Sequence, residues 1–361
     1  MDSITQFVLG AAVSTVCLGK KIGPRKAALV GGALGTLPDL DVLIPFSDPI
    51  DSFVYHRGWS HSVFVHALAA PVIGEGLVRL FKGLREARTQ VYMAVFLILA
   101  THAIIDAMTI YGTRLFWPIY PDPVGVGSIF IIDPIYSLPI LGVVIWALCR
   151  REWSQSLGRV TAIVLAITSG YMALTIGLQQ YVTEKAKDIF VERGLQTDKV
   201  LAIAAPFNTV LWKVIGLEED RYHNLYISLL DDTDQPAEIY SHPRHPELVS
   251  CLQGGESYQK LNWFSRGYLR AEQVEDKIIV SDLRMGLTPG YVFRFAIGEA
   301  SEDGILSIPP ERDLSTRRVE EEDFRWLSER FWGRPAVRIA ELPAEVLVAE
   351  SETETRPASC S

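Results

Sequence analysis

A chain of 361 residues, 48% of them hydrophobic, with mean hydropathy +0.18, is long enough for two domains and more apolar than soluble domains usually are. Its net charge of −9 is unevenly spread: residues 1–180 net +2 and the remainder −11. The acidic second half lacks a basic stripe, which excludes nucleic acid as its partner, and four cysteines without a CxxC pair exclude a zinc ribbon and speak against a disulfide framework.

In chain order, residues 1–18 lack a basic n-region and a cleavage site, so this first segment is expected to be retained. Residues 63–80, 91–110, 131–149 and 160–178 approach the ~20 apolar residues that cross a ~30 Å hydrocarbon core. Residues 4–18 and 27–45 are shorter or richer in Gly and Ala, as expected of helices that pack closely or re-enter. For these two, a buried helix of soluble type is the alternative.

Basic residues cluster in every second loop: Lys20, Lys21, Arg25 and Lys26; then Arg79, Lys82, Arg85 and Arg88; then Arg150, Arg151 and Arg159. The alternate loops hold one arginine each, Arg57 and Arg114. The positive-inside rule then gives six crossings with both termini outside the cytoplasm. The expected fold is a polytopic α-helical membrane domain of four to six transmembrane helices over residues 1–180, followed by a smaller, mainly β extramembrane domain.

Beyond a polar helical linker at 181–194, segments 209–215, 222–230, 277–282 and 291–297 alternate or are β-branched and aromatic, with a turn signal at Asp231-Asp232-Thr233-Asp234. An acidic α+β domain is expected over 195–345, with a charged helical region near 311–332. Residues 346–361 have the composition of a disordered tail.

Three polar runs interrupt the apolar half. In Thr101-His102-Ala103-Ile104-Ile105-Asp106, His102 and Asp106 lie one helical turn apart on one face, a spacing that suits two ligands of one cation. A buried histidine bonded to its own i+4 carboxylate is the alternative. In His56-Arg57-Gly58-Trp59-Ser60-His61-Ser62, Gly58 permits a turn and Ser60 can cap a helix starting near His61, so His56 and His61 can converge. Arg57 is suited to hold a phosphate or carboxylate beside a metal. In Pro38-Asp39-Leu40-Asp41, an extended or turn geometry can point both carboxylates to one side. The predicted topology brings all three runs to the same membrane face.

Asp39, Asp41, His56, His61, His102 and Asp106 are thus the candidate metal ligands, with Arg57 and Asp41 as candidate catalytic residues. Six N and O donors suffice for one or two Zn²⁺, with Mn²⁺ or Fe²⁺ as alternatives. His66, Glu75, Tyr111, Asp122 and Asp133 rank lower. His223 is expected to be structural, and His242 and His245 to form an exposed loop pair.

The opening Met1-Asp2-Ser3-Ile4-Thr5-Gln6, with Gly35-Thr36-Leu37-Pro38-Asp39-Leu40-Asp41, the His56–Ser62 run, and His102 with Asp106 before Tyr111-Gly112-Thr113, resembles the YdjM-like family. That family is described as LexA-binding, inner membrane-associated metal-dependent hydrolases, and it is distantly similar to zinc-dependent phospholipases C and single-strand nucleases. The resemblance covers about residues 1–180 and implies His56, His61, His102, Asp106 and one or both of Asp39 and Asp41 as ligands. Many members carry His where this chain has Gln6, which leaves the metal count open.

The expected function is a membrane-bound hydrolase of the inner membrane, acting by metal-activated water on a phosphoester or other ester of a lipid or lipid-linked substrate. The C-terminal domain is expected to be extracytoplasmic, and no protein partner is identifiable. A non-enzymatic regulator or scaffold with a structural metal is the first alternative. A transporter is the second, disfavoured because the ligands gather at one face and no internal repeat is evident.

Overall fold

A computed structural model describes residues 1–232, 238–302, 304–315 and 320–342. These residues divide into two compact units. The first comprises Met1–Pro45, Tyr55–Leu178 and Pro206–Thr209; the second takes Phe46–Val54, Gln179–Ala205 and the described chain from Val210 onward.

The first unit is helical. Helix α1 (Ser3–Ile22) begins where Asp2 accepts hydrogen bonds from the amides of Ile4 and Thr5, and Gly23 turns the chain into α2 (Pro24–Gly35). The two helices meet at glycines: a Cβ at Gly10 would lie 2.3 Å from the carbonyl oxygen of Gly31. Only small residues allow helices so close. At 1.5 Å per residue, the 12 residues of α2 rise about 18 Å, too little to cross a ~30 Å core. Segment 27–45 is therefore not one continuous span. It stops at Gly35, and Pro38–Leu43 forms a 3₁₀ turn.

A short helix α3 (Pro49–Tyr55) precedes α4 (Val63–Leu80), whose cap is Ser62 and not Ser60: the Ser62 hydroxyl accepts from the amides of Phe64 and Val65. Helix α5 (Arg88–Met108) buries Val91, Ala94, Val95, Ile98, His102, Ile105 and Asp106. This i, i+3, i+4 stripe carries the two polar residues at its C-terminal end. Helix α6 (Pro134–Cys149) starts at Asp133, which caps the amide of Tyr136. Helix α7 (Gln155–Glu192) runs unbroken through the expected linker.

Helices α1, α4, α5 and α7 are long and apolar enough to cross a membrane, and α6 is a shorter apolar helix. One core joins Val8, Leu9 and Ala12 of α1 to Ile98 and Ile105 of α5 and to Tyr136, Ile140 and Val144 of α6. A second joins Leu18 and Ala27 to Ala70 and Val78 of α4 and to Val91, Ala94 and Val95 of α5.

The second unit is built on antiparallel sheets. Strands β1 (Lys199–Ala204), β2 (Leu211–Leu217), β3 (Arg221–Ser228) and β4 (Ile239–Pro243) pair in sequence order. After α8 (Glu256–Ser265) come β5 (Leu269–Val274), β6 (Lys277–Asp282) and a small ribbon of β7 (Gly286–Leu287) and β8 (Gly290–Tyr291). Strands β9 (Arg294–Ser301) and β10 (Gly304–Arg312) complete a second sheet in the order β10-β9-β6-β5. The helical region expected near 311–332 is shorter, because β10 runs through Arg312 and α9 occupies Glu321–Phe331. The expected tail at 346–361 lies outside the described residues.

Candidate metal centre

Four of the six predicted ligands converge. Asp39, on the 3₁₀ turn after α2, His61, just before α4, and His102 and Asp106, at the end of α5, each offer one ligand atom, all within 4.8 Å of one another. His61 Nε2 lies 3.0 Å from His102 Nε2, 3.3 Å from Asp39 Oδ1 and 3.3 Å from Asp106 Oδ2. His102 Nε2 is 3.5 Å from each of the same two carboxylate oxygens. Donors about 2.0–2.1 Å from a tetrahedral ion would be separated by about 3.3 Å. Five of the six edges bracket that value, and the sixth, between the two carboxylate oxygens, is no longer than 4.8 Å.

The hydrogen bonds behind the cluster settle which ring nitrogens face it. His102 Nδ1 donates to the carbonyl of Gly35 at 2.6 Å. Ser60 gives its hydroxyl proton to Asp41 Oδ2 at 2.7 Å, so its oxygen accepts from His61 Nδ1 at 3.0 Å. Both neutral imidazoles therefore turn an Nε2 lone pair inward, against two carboxylates. Asp39 Oδ1 and Asp106 Oδ2 are buried with no hydrogen-bond partner. Four converging lone-pair donors with orphaned oxygens fit a divalent cation, and the outer hydrogen bonds orient them for it.

Asp106 is held from the far side. Its Oδ1 accepts from Gln6 Nε2 at 2.8 Å and from the α-amino group of Met1, leaving Oδ2 to the cluster. Arg57 Nε sits 3.3 Å from that Oδ2, and the Arg57 guanidinium lies over the Tyr111 ring, 5.1 Å from its centroid. Arg57 is a non-glycine residue at φ 58, a backbone region that costs energy and tends to mark functional sites. Asp41 holds it there by accepting from its amide at 2.9 Å.

Asp41 and His56 stand outside the quartet. His56 Nδ1 bonds Asp41 Oδ1 at 2.8 Å, and Asp41 reaches His61 through Ser60. A 3₁₀ turn has three residues per revolution, so side chains two apart diverge instead of sharing a side. His66 Nε2 bonds the Ser60 carbonyl at 2.8 Å and props up the same turn. Glu75 pairs with Arg79 and Arg88, and Asp133 caps α6. In the second unit, His242 is buried against Glu341 instead of lying exposed, while His245 pairs with Glu247.

Burial works against ionisation of Asp39, but the adjacent His102 and His61 rings hold its carboxyl well below the usual carboxylate range. Burial likewise disfavours a charged His61, yet Asp106 and Asp39 raise it above the ordinary imidazole value.

Sequence reasoning missed Ser60 as the link from Asp41 to His61, the Gly35 carbonyl, and the grip of Gln6 on Asp106. Ser60 and Gln6 left signals: a hydroxyl beside a ligating histidine is well placed to orient it, and Gln6 stands where many family members carry His.

The chain matches the model of the family described as YdjM inner membrane protein over residues 1–183. No curated protein and no solved structure matches it. With half of its length inside that match, the chain belongs to the YdjM inner membrane protein family.

Proposed function

We propose that this protein is a polytopic inner-membrane hydrolase that uses a divalent metal, zinc first among the candidates, to cleave a phosphoester or other ester of a lipid or lipid-linked substrate. The observation that carries this reading is the quartet itself: two imidazoles and two carboxylates with their ligand atoms within 4.8 Å of one another, beside a buried arginine. An N₂O₂ set of this shape favours Zn²⁺, with Mn²⁺ and Fe²⁺ as alternatives. A divalent ion so held supplies Lewis acidity and a water acidic enough to act as a nucleophile near neutral pH. Arg57 steadies the substrate anion, and Asp41 fixes the proton of His61 on Nδ1 through Ser60.

A lipid substrate is supported by the surroundings of Asp39. With 21% of its side chain exposed, Asp39 is the one member of the quartet open to the surface, and its turn also exposes Leu40, Val42 and Leu43. An apolar lip beside a charged site suits an amphiphile. Basic loops at Lys20–Lys26 and Arg79–Arg88 suit the cytoplasmic face, which supports an extracytoplasmic site and an extracytoplasmic C-terminal domain. The test is turnover by protein purified from membranes and loaded with Zn²⁺, against a panel of phospholipids, lipid-linked phosphates and ester analogues. Chelator-sensitive hydrolysis that is lost in His61→Ala and Arg57→Ala is expected. Tight metal binding without turnover across the panel would favour the structural-metal reading, which the deep burial of His61, His102 and Asp106 also suits.

A further inference from the structure

Between the turn that carries Asp39 and the turn that carries His61, the chain makes an excursion. Residues Phe46–Val54 belong to the second compact unit, although the residues on both sides belong to the first. Within the second unit the excursion is anchored at several points. The buried Phe53 ring meets those of Phe264, Phe293 and Phe295 at centroid distances of 4.7, 4.3 and 5.4 Å. Ile50 and Val54 are buried with it. Asp51 pairs with Lys260 of α8, which also holds Glu256 at 2.7 Å. Asp48 accepts from the Asp51 amide at 2.8 Å, and Ser47 donates to the Asp51 carboxylate.

A free nine-residue loop would let its two ends sample many separations, at an entropic cost to any one of them. An anchored one fixes both ends. Val54 is two residues from His56 and three from Arg57, and Phe46 lies three residues beyond the end of the Asp39 turn at Leu43.

We propose that the C-terminal unit sets the geometry of the metal centre through this excursion, with Phe53, Asp51 and Lys260 as positioning residues for Asp39 and His61. The unit then serves as a scaffold for the site, and a change in it reaches the metal through eleven residues of chain, 45–55. This rests on the quartet being the metal site.

The experiment uses the full-length chain in detergent, with Co²⁺ as the probe, reading affinity by chelator competition and ligand geometry by the visible d–d bands. Phe53→Ala and Lys260→Met should each weaken Co²⁺ binding by about tenfold or more and alter the bands, as loss of outer support typically does. Phe53→Leu and Lys260→Arg should restore both, and Trp326→Phe, a buried change elsewhere in the second unit, should move neither. Wild-type affinity and bands in Lys260→Met and in folded Phe53→Ala would overturn the proposal. A wild-type chain that takes up no Co²⁺ would overturn the metal reading beneath it.

Discussion

Replacing His102 with glutamine removes one imidazole from the quartet while retaining a side chain that can donate to the Gly35 carbonyl. Structural zinc sites with four ligands bind with about 10–16 kcal/mol in favourable cases, or about 3 kcal/mol per ligand, which is roughly a hundredfold in affinity. The folding cost is smaller: losing the 2.6 Å bond to Gly35 altogether would cost about 1–3 kcal/mol for an unsatisfied buried carbonyl, and glutamine retains part of it. Chelator competition on detergent-solubilised protein therefore should show about a hundredfold weaker Zn²⁺ binding with a modest loss of thermal stability. Asp41→Asn, which acts through Ser60, His56 and the Arg57 amide, should cost about 10–100-fold. His223→Gln, in the second unit, should cost nothing in metal affinity. A folded His102→Gln protein that binds Zn²⁺ as tightly as wild type would refute the assignment of the quartet.

Three further outcomes are expected. Gln6→Leu frees Asp106 Oδ1 from its 2.8 Å bond and should weaken metal binding about tenfold, read in the same competition assay. Gly31→Ala puts a Cβ 2.2 Å from Ser14 Cβ and 2.3 Å from the Gly10 carbonyl, overpacking worth about 1–3 kcal/mol; a lowered melting temperature checks it. In the second unit, burial pushes the Lys213 ammonium down to about 8 from its ordinary 10.5. Between those values the unfolded chain binds a proton that the folded chain lacks, so this group makes stability rise with pH, by about 3 kcal/mol over the whole window. Near pH 10 the buried Tyr222, Tyr226 and Tyr291, all raised above the ordinary phenol value by burial first, begin to oppose it. Denaturation curves from pH 7.5 to 9.5 should show the rise in wild type and its loss in Lys213→Met.

The parts of the site that could be read from sequence are those governed by local geometry. His102 and Asp106 share a helical face because four residues make about one turn, and the structure puts their ligand atoms 3.5 Å apart. The convergence of three runs on one end of the bundle followed from the alternation of basic loops, which acts on whole segments. What was lost is tertiary. Asp39 and Asp41 part because Pro38–Leu43 winds into a 3₁₀ turn, and nothing local distinguishes that from an extended run. Ser60 and Ser62 are both plausible caps, and packing gives the cap to Ser62 and the hydrogen-bond relay to Ser60.

The same division holds for the fold. Segments 222–230 and 277–282 anticipated β3 and β6 because they are rich in β-branched and aromatic residues, which suit strands buried at every position but the first. The polar stretch after Leu178 reads as a helical linker, and it is helical as the continuation of α7 to Glu192, since polarity alone does not break a helix over a stretch without Pro or Gly. The membership of Phe46–Val54 in the second unit left no mark in sequence. Its apolar residues, Ile50, Phe53 and Val54, are as compatible with a membrane-surface loop as with the core they enter.

On the proposed reading, His61, His102, Asp39 and Asp106 together hold one divalent ion. X-ray absorption on full-length protein purified without added metal, with elemental analysis of the same sample, tests it most directly. One ion per chain is expected, with N and O donors at about 2.0–2.1 Å and the multiple-scattering signature of two imidazoles. A folded protein that carries no metal and takes none up, or an ion ligated by sulfur, would contradict it.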